Sequence, residues 1–197
     1  MSPDAVAAVV AEAARLGAAL SFKDSLIPPA GLRRLASLVA GQVRWSACTK
    51  LHLMLTPDTM RELAAGGCNT LEIGLETLSP DGQTLIHKPQ SPELFLRFLD
   101  AAEAAGIAVV VNYITGLPRI DAAEEEHWHA FARHELRKRP GLVAKIEHNG
   151  FQLERLSPMG RDPAKFGLKI VQSWPWATVL DYEILPALGS KAAPCSP

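Results

Sequence analysis

No C-x-x-C pair occurs anywhere in the sequence. Its three cysteines, Cys48, Cys68 and Cys195, are odd in number and widely spaced. That excludes a disulfide framework and a local zinc knuckle or redox pair. Cys48 and Cys68 are expected to be small buried hydrophobes beside strands, the usual place of a free cysteine. Net charge is also nearly absent: 20 Lys and Arg against 21 Asp and Glu give a formal net charge of −1. There is no basic footprint for nucleic acid. No apolar run approaches the roughly 20 residues of a membrane span. The Ala-rich start from Met1 to Gly17 carries Asp4, Glu12 and Arg15, which suits an amphipathic helix and not a secretory signal. A cytoplasmic protein is expected.

What is present is alternation. Val6, Val9, Val10, Ala13 and Leu16 recur at helical spacing over Pro3 to Leu16, and Gly17 stops that helix. Ala18 to Ser25 reads as a short strand with Leu20 and Phe22 on one face. A helix opens at Pro28-Pro29, carries Leu32, Leu35, Leu38 and Val39, and ends at Gly41. Val43 to Leu51 is a strand. Thr56-Pro57-Asp58 then combines a cap, a first-position proline and an acid at the positive helix end.

Thr70 to Thr77 is a strand, followed by a loop through Ser79 and Gly82. A helix opens at Ser91-Pro92-Glu93 and closes at Gly106. Ile107 to Ile114 is apolar on both faces, as in a parallel sheet covered by helices. Asp121 to Lys138 reads as a charged surface helix and Val143 to Glu154 as a last strand. Beyond Ser157 the pattern dissolves into Pro, Gly and Trp. Strict β/α order implies parallel strands and right-handed crossovers, in an open doubly wound sheet or in a barrel.

In parallel α/β folds, chemistry sits at the C-terminal strand ends. Those ends carry Lys23, Asp24 and Ser25; Lys50 and His52; Glu76 and Thr77; Asn112, Tyr113 and Thr115; and Glu147, His148, Asn149, Gln152 and Glu154. This polar rim suits a polar ligand, although Asp24, Ser25 and Thr115 could equally cap helices. His127, His129 and His134 share one helix, but their spacing is not the i, i+4 of a metal pair. They are expected to be solvated. Glu124-Glu125-Glu126 complements a helix dipole. Trp174-Pro175-Trp176 is expected to bury as a lid.

The run Gly67-Cys68-Asn69-Thr70-Leu71-Glu72-Ile73-Gly74-Leu75-Glu76-Thr77 resembles the fourth-strand segment of radical S-adenosylmethionine (SAM) enzymes. Val111 to Pro118, ending Thr115-Gly116-Leu117-Pro118, is similar to their fifth strand and its turn. Leu85-Ile86-His87-Lys88 is similar to the leucine, isoleucine and basic residue of the same family. Ser21 to Leu26, Phe151-Gln152-Leu153 and Ser157-Pro158-Met159 resemble the subgroup that often carries a cobalamin-binding domain upstream.

The resemblance implies an α/β fold, a partial TIM-type (β/α) barrel with parallel strands whose first strand is missing. It would cover residues 1–180, with 181–197 as a C-terminal tail. It implies SAM as cofactor, with Glu76 and Thr77 facing its ribose and amino-acid part, Lys88 its carboxylate, and Asn112 and Gly116 its adenine. Asp24 would point into the cavity. The implied function is radical chemistry, either methyl transfer or modification of a peptide or metabolite. The family also holds a [4Fe–4S] cluster on three cysteines separated by three and then two residues, and thiolates are what such clusters need. No ligand motif of that spacing occurs here. The chain alone is therefore expected to be truncated or inactive, with an upstream chain or domain supplying the cluster loop. The alternatives are a non-catalytic scaffold that retains the fold, and an unrelated β/α enzyme using Glu76, Glu147 or His148 as acid and base.

Overall fold

The computed structural model describes residues 2–23 and 26–185. Five of its helices open on the same two residues, a Ser or Thr followed by Pro. These are α1 (Pro3–Leu16), α3 (Pro57–Ala65), α4 (Pro80–Leu85), α5 (Pro92–Ala105) and α7 (Pro158–Arg161). In each the hydroxyl accepts a backbone N–H of the first turn, as Thr56 does from Thr59 at 3.2 Å and Ser91 from Leu94 at 3.1 Å. Proline occupies the position whose N–H has no helical partner. Helix α2 (Pro29–Val39) also starts at a proline, and α6 (Ala122–Arg137) follows Asp121.

The strands are β1 (Leu20–Phe22), β2 (Trp45–Thr49), β3 (Cys68–Glu76), β4 (Ala108–Thr115) and β5 (Ala144–Gly150). They pair in sequence order and all in parallel. This is the expected partial β/α barrel. Helices cover one face. Leu71, Ile73 and Leu75 of β3 and Val109, Val111 and Tyr113 of β4 are buried there against Leu63, Phe95, Phe98 and Leu99. Residues two apart share a face, so Thr70, Glu72 and Gly74 fall on the other, concave face, with Glu72 in register with Cys48 and Val110 and Gly74 with Asn112. Trp45 closes the bottom of the core and donates its indole N–H to Gly66 O at 2.9 Å.

Several expectations are corrected. The strand expected over Val143 to Glu154 breaks after Gly150. Phe151 N donates to Thr115 O, and β6 (Leu153–Glu154) pairs instead with β8 (Val179–Ile184). Strands β7 (Leu168–Gln172) and β8 are antiparallel and complete a small second sheet in the region expected to be irregular. Strand β8 continues across residue 180. Its apolar side packs Leu153, Met159, Leu168 and Leu180 into a satellite core that touches Leu85 and Ile86 at the end of α4. Helix α4 itself occupies the expected loop after Ser79. Trp174 and Trp176 do not form a buried lid. They stack on each other at 5.3 Å and remain 48% and 77% exposed. Cys68 is buried as expected, whereas Cys48 is half-buried. No helix among the described residues is long and apolar enough to cross a membrane.

Candidate functional site

The C-terminal end of β3 is irregular where function would require it. Gly74 pairs with Asn112 but Glu76 pairs with Tyr113, so one extra residue bulges at Leu75. Glu76 then takes φ +61°, a conformation rare for a side-chain-bearing residue. Such bulges and strained residues re-aim side chains beside ligand sites. Here the Glu76 carboxylate lies over the concave face and accepts from Lys88 Nζ at 2.7 Å. The pair is three-quarters buried on each side. A side chain at position 74 would have no room: a Cβ there would meet Glu76 Oε1 and, at 2.8 Å, Lys88 Nζ. Gln90 donates to Gly74 O at 3.1 Å, and its own Oε1 is buried without a partner.

One turn below, Glu72 accepts from Asn112 Nδ2 at 2.9 Å and pairs with Lys23. The Lys23 ammonium, and then Asn112, hold the Glu72 carboxyl below its ordinary range. Glu72, Glu76, Asn112, Ile114, Gln152 and Glu154 line a cleft of about 630 Å³, within the roughly 300–1,000 Å³ of small-molecule sites.

Of the residues expected at the site, Glu76, Lys88 and Asn112 thus meet around one cleft. Thr77 is buried beside it, accepting from Ser79 N at 3.0 Å. Gly116 sits at φ +71° with nothing within 4 Å of where a Cβ would be, and its N–H donates to Glu125 at 2.8 Å. Asp24 lies outside the described residues. Glu147 pairs with Lys145. His148 lines the same cleft as Glu76, and its ring is 5.0 Å from that of His129.

His129 corrects another expectation. It is not solvated but 6% exposed, with its ring 3.9 Å from Tyr113, and its Nε2 has no hydrogen-bond partner. Burial, and then His148, push its pKa down. Glu72 and Gln90 escaped the sequence reading. The alternation of β3 marks Glu72, since it lies between the apolar Leu71 and Ile73.

Cys48 and Cys68 do not fit an iron–sulfur cluster. Cys68 lies at the opposite, N-terminal end of β3, and burial pushes its thiol up to about 12. Cys48, on β2, is also pushed up by burial and then by the nearby Glu72 charge. Cluster ligands must be thiolates. Among the described residues no three His, Cys, Asp or Glu side chains are grouped as a metal site would need.

A parallel β/α sheet with helices on one face, and a paired-charge cleft at the C-terminal strand ends of the other, is the frame of a partial β/α barrel. The sequence profile of the radical SAM superfamily matches residues 1–132, and the chain belongs to that superfamily.

Solved structures with this fold include the radical SAM methyltransferase TsrM from Kitasatospora setae, with cobalamin and a [4Fe–4S] cluster bound. It matches at a TM-score of 0.70 and 15% identity over 98% of this chain and 39% of that one. The cobalamin-dependent radical SAM enzyme OxsB matches at 0.54 and 11%, over 74% of this chain and 23% of that one. Methylornithine synthase (PylB) matches at 0.55 and 15%, over 81% and 47%. The chain thus spans about two fifths of TsrM. Comparison with curated proteins returned no match.

Proposed function

We propose that the concave face of this chain binds SAM, with the Glu76–Lys88 pair receiving its amino-acid end. The observation that carries this is the pair itself, held over the bare backbone of Gly74. The methionyl part of SAM ends in an ammonium and a carboxylate. A carboxylate and an ammonium placed side by side are complementary to that zwitterion, Glu76 taking the amino group and Lys88 the carboxylate. Each new charge-assisted hydrogen bond replaces one within the pair. Asn112, on the neighbouring strand, is placed for the adenosyl part. Gly116 leaves open space for close backbone approach. Thr77 acts from behind, through the loop that carries Glu76.

In this reading the chain alone does not cleave SAM. The family's radical step needs an electron from a cluster, and the described thiols are unsuited to hold one. The reaction of the whole assembly, either methyl transfer or modification of a peptide or metabolite, then requires a further domain or chain that supplies the cluster loop. A cytoplasmic setting keeps the free thiols reduced. The second reading is a non-catalytic scaffold. The poor fit of Cys48 and Cys68 to a cluster favours it over an enzyme complete in itself.

Calorimetric titration of the purified chain with SAM separates the two readings. Saturable binding, weakened at least about tenfold in Glu76→Ala (the loss of one charge-assisted bond) and retained in Glu147→Ala, is expected. Absence of binding to a folded sample leaves the scaffold.

A further inference from the structure

Next to the polar cleft is a second, apolar pocket of about 220 Å³ between the end of α4 and the small antiparallel sheet. Leu85, Ile86, Phe151, Met159 and Phe166 form its walls. Alone it is smaller than the roughly 300–1,000 Å³ of a whole ligand site. It shares Phe151, Gln152 and Glu154 with the cleft, however, so the two pockets adjoin at those residues.

The shared wall is pre-organised. Phe151 is pinned three ways: its N–H donates to Thr115 O at 2.8 Å, its carbonyl accepts from the Tyr182 hydroxyl at 3.1 Å, and its ring meets that of Tyr182 edge-on at 5.7 Å. Glu154 is fixed through its backbone, whose carbonyl accepts from Ser157 Oγ at 2.7 Å. His87, on the pocket's rim, sits at φ +52°, a second strained residue of the kind that collects at ligand sites.

The charges at the junction are unequal. Three carboxylates line the cleft. Glu76 is paired with Lys88, and Glu72 with Lys23 and Asn112. Glu154 has no ion pair or side-chain hydrogen bond among the described residues. An unpaired carboxylate beside an apolar pocket selects a ligand with a cationic group next to an apolar body.

We propose that this junction is the second-substrate subsite, and that it takes a primary amine carrying one aromatic ring or branched aliphatic chain. The ammonium pairs with Glu154 and the apolar body enters the pocket against Phe151 and Phe166. This rests on the reading of the adjoining cleft as the SAM side. The ligand's amine then lies at Glu154, the residue that borders both pockets, on the side of the proposed SAM site.

Three probes test it by ligand-observed NMR titration on the same sample that is titrated with SAM: 2-phenylethylamine, 3-phenylpropanoate and ethylamine. The expected result is saturable binding of 2-phenylethylamine, with the anion and the ring-free amine at least about tenfold weaker, as the loss of one charge-assisted bond or one buried ring implies. Glu154→Gln, which removes a charge with no side-chain partner among the described residues, lowers the amine's affinity by a similar factor. Phe166→Ala weakens 2-phenylethylamine but not ethylamine. Equal binding of cation and anion, indifference to Glu154→Gln, or no amine binding while SAM binds each overturns the proposal. Amine binding without SAM binding instead overturns the reading of the cleft and leaves the pocket as a ligand site.

Discussion

Two glycines separate what holds the fold from what equips the site. An alanine at Gly74 would place its Cβ on Glu76 Oε1 and 2.8 Å from Lys88 Nζ. Both are the far ends of flexible side chains, so the ion pair moves and the sheet does not. Replacing Gly by Ala at an unstrained position stabilises by about 0.4–1 kcal/mol through the unfolded chain. Loss of a partly exposed pair costs about 0–1 kcal/mol. The two nearly cancel, and Gly74→Ala is expected to unfold within about 1 kcal/mol of the parent, or about 2–4 °C for a chain of this size.

An alanine at Gly66 meets Ala36 Cβ at 2.5 Å, Ala36 Cα at 2.6 Å and Ala36 O at 2.7 Å. Two of those atoms belong to the backbone of α2. Relief requires α2 and α3 to separate, so the upper part of the roughly 1–3 kcal/mol range for overpacking applies. Binding inverts the order. Gly74→Ala displaces the pair that meets the ligand zwitterion and lowers SAM affinity at least about tenfold, or about 1.4 kcal/mol. Gly66→Ala, where still folded, binds normally. Paired thermal melts and calorimetric titrations measure both. A Gly74→Ala protein that binds SAM like the parent, or that loses several kcal/mol of stability, refutes the reasoning.

Further outcomes follow from buried titratable groups. His129 is held neutral in the fold by burial, and then by His148. Below about pH 6.5 the unfolded chain takes up a proton that the folded chain refuses, so stability falls as pH drops from there and is unaffected above it. Urea midpoints between about pH 5 and 8 should show that slope, and His129→Phe, which keeps the edge-on contact with Tyr113, should flatten it. Cys68, with its thiol at about 12, and half-buried Cys48 should resist alkylation in the folded chain. In a Cys195→Ser background, incubation with iron and sulfide should leave no cluster, and a stoichiometric [4Fe–4S] signal would contradict the account of these thiols. Phe98→Ala, in the middle of the helix-covered core, should cost about 3–5 kcal/mol by denaturant unfolding.

The β/α order was legible because caps and periodicity agree: Thr56-Pro57, Ser91-Pro92 and Gly106 mark helix ends that the fold keeps. The concave face was legible only in part. Glu76, Lys88 and Asn112 stand at strand and loop ends and announce themselves as polar residues beside apolar runs. Glu72 lies within an apolar strand, and only the choice of which face the helices cover gives it meaning. The bulge at Leu75 and the bare backbone of Gly74 depend on contacts across 12 residues, from Glu76 to Lys88, which no local pattern carries.

His129 was misjudged because its neighbours on α6 are charged. What buries it is Tyr113 on β4, a tertiary partner invisible to helical spacing. The small second sheet was missed for the converse reason. Its strands are short and mostly exposed, so their alternation is weak, and they are organised by one satellite core around Leu153 and Leu168.

The central claim is that SAM lies on the concave face at the ends of β3 and β4. Amide hydrogen exchange followed by mass spectrometry, with and without saturating SAM, tests it directly. Protection confined to the peptides holding Glu72 to Lys88 and Asn112 to Gly116, with α2 unchanged, is the predicted result. Saturable SAM binding that leaves those peptides exchanging as before would contradict the account.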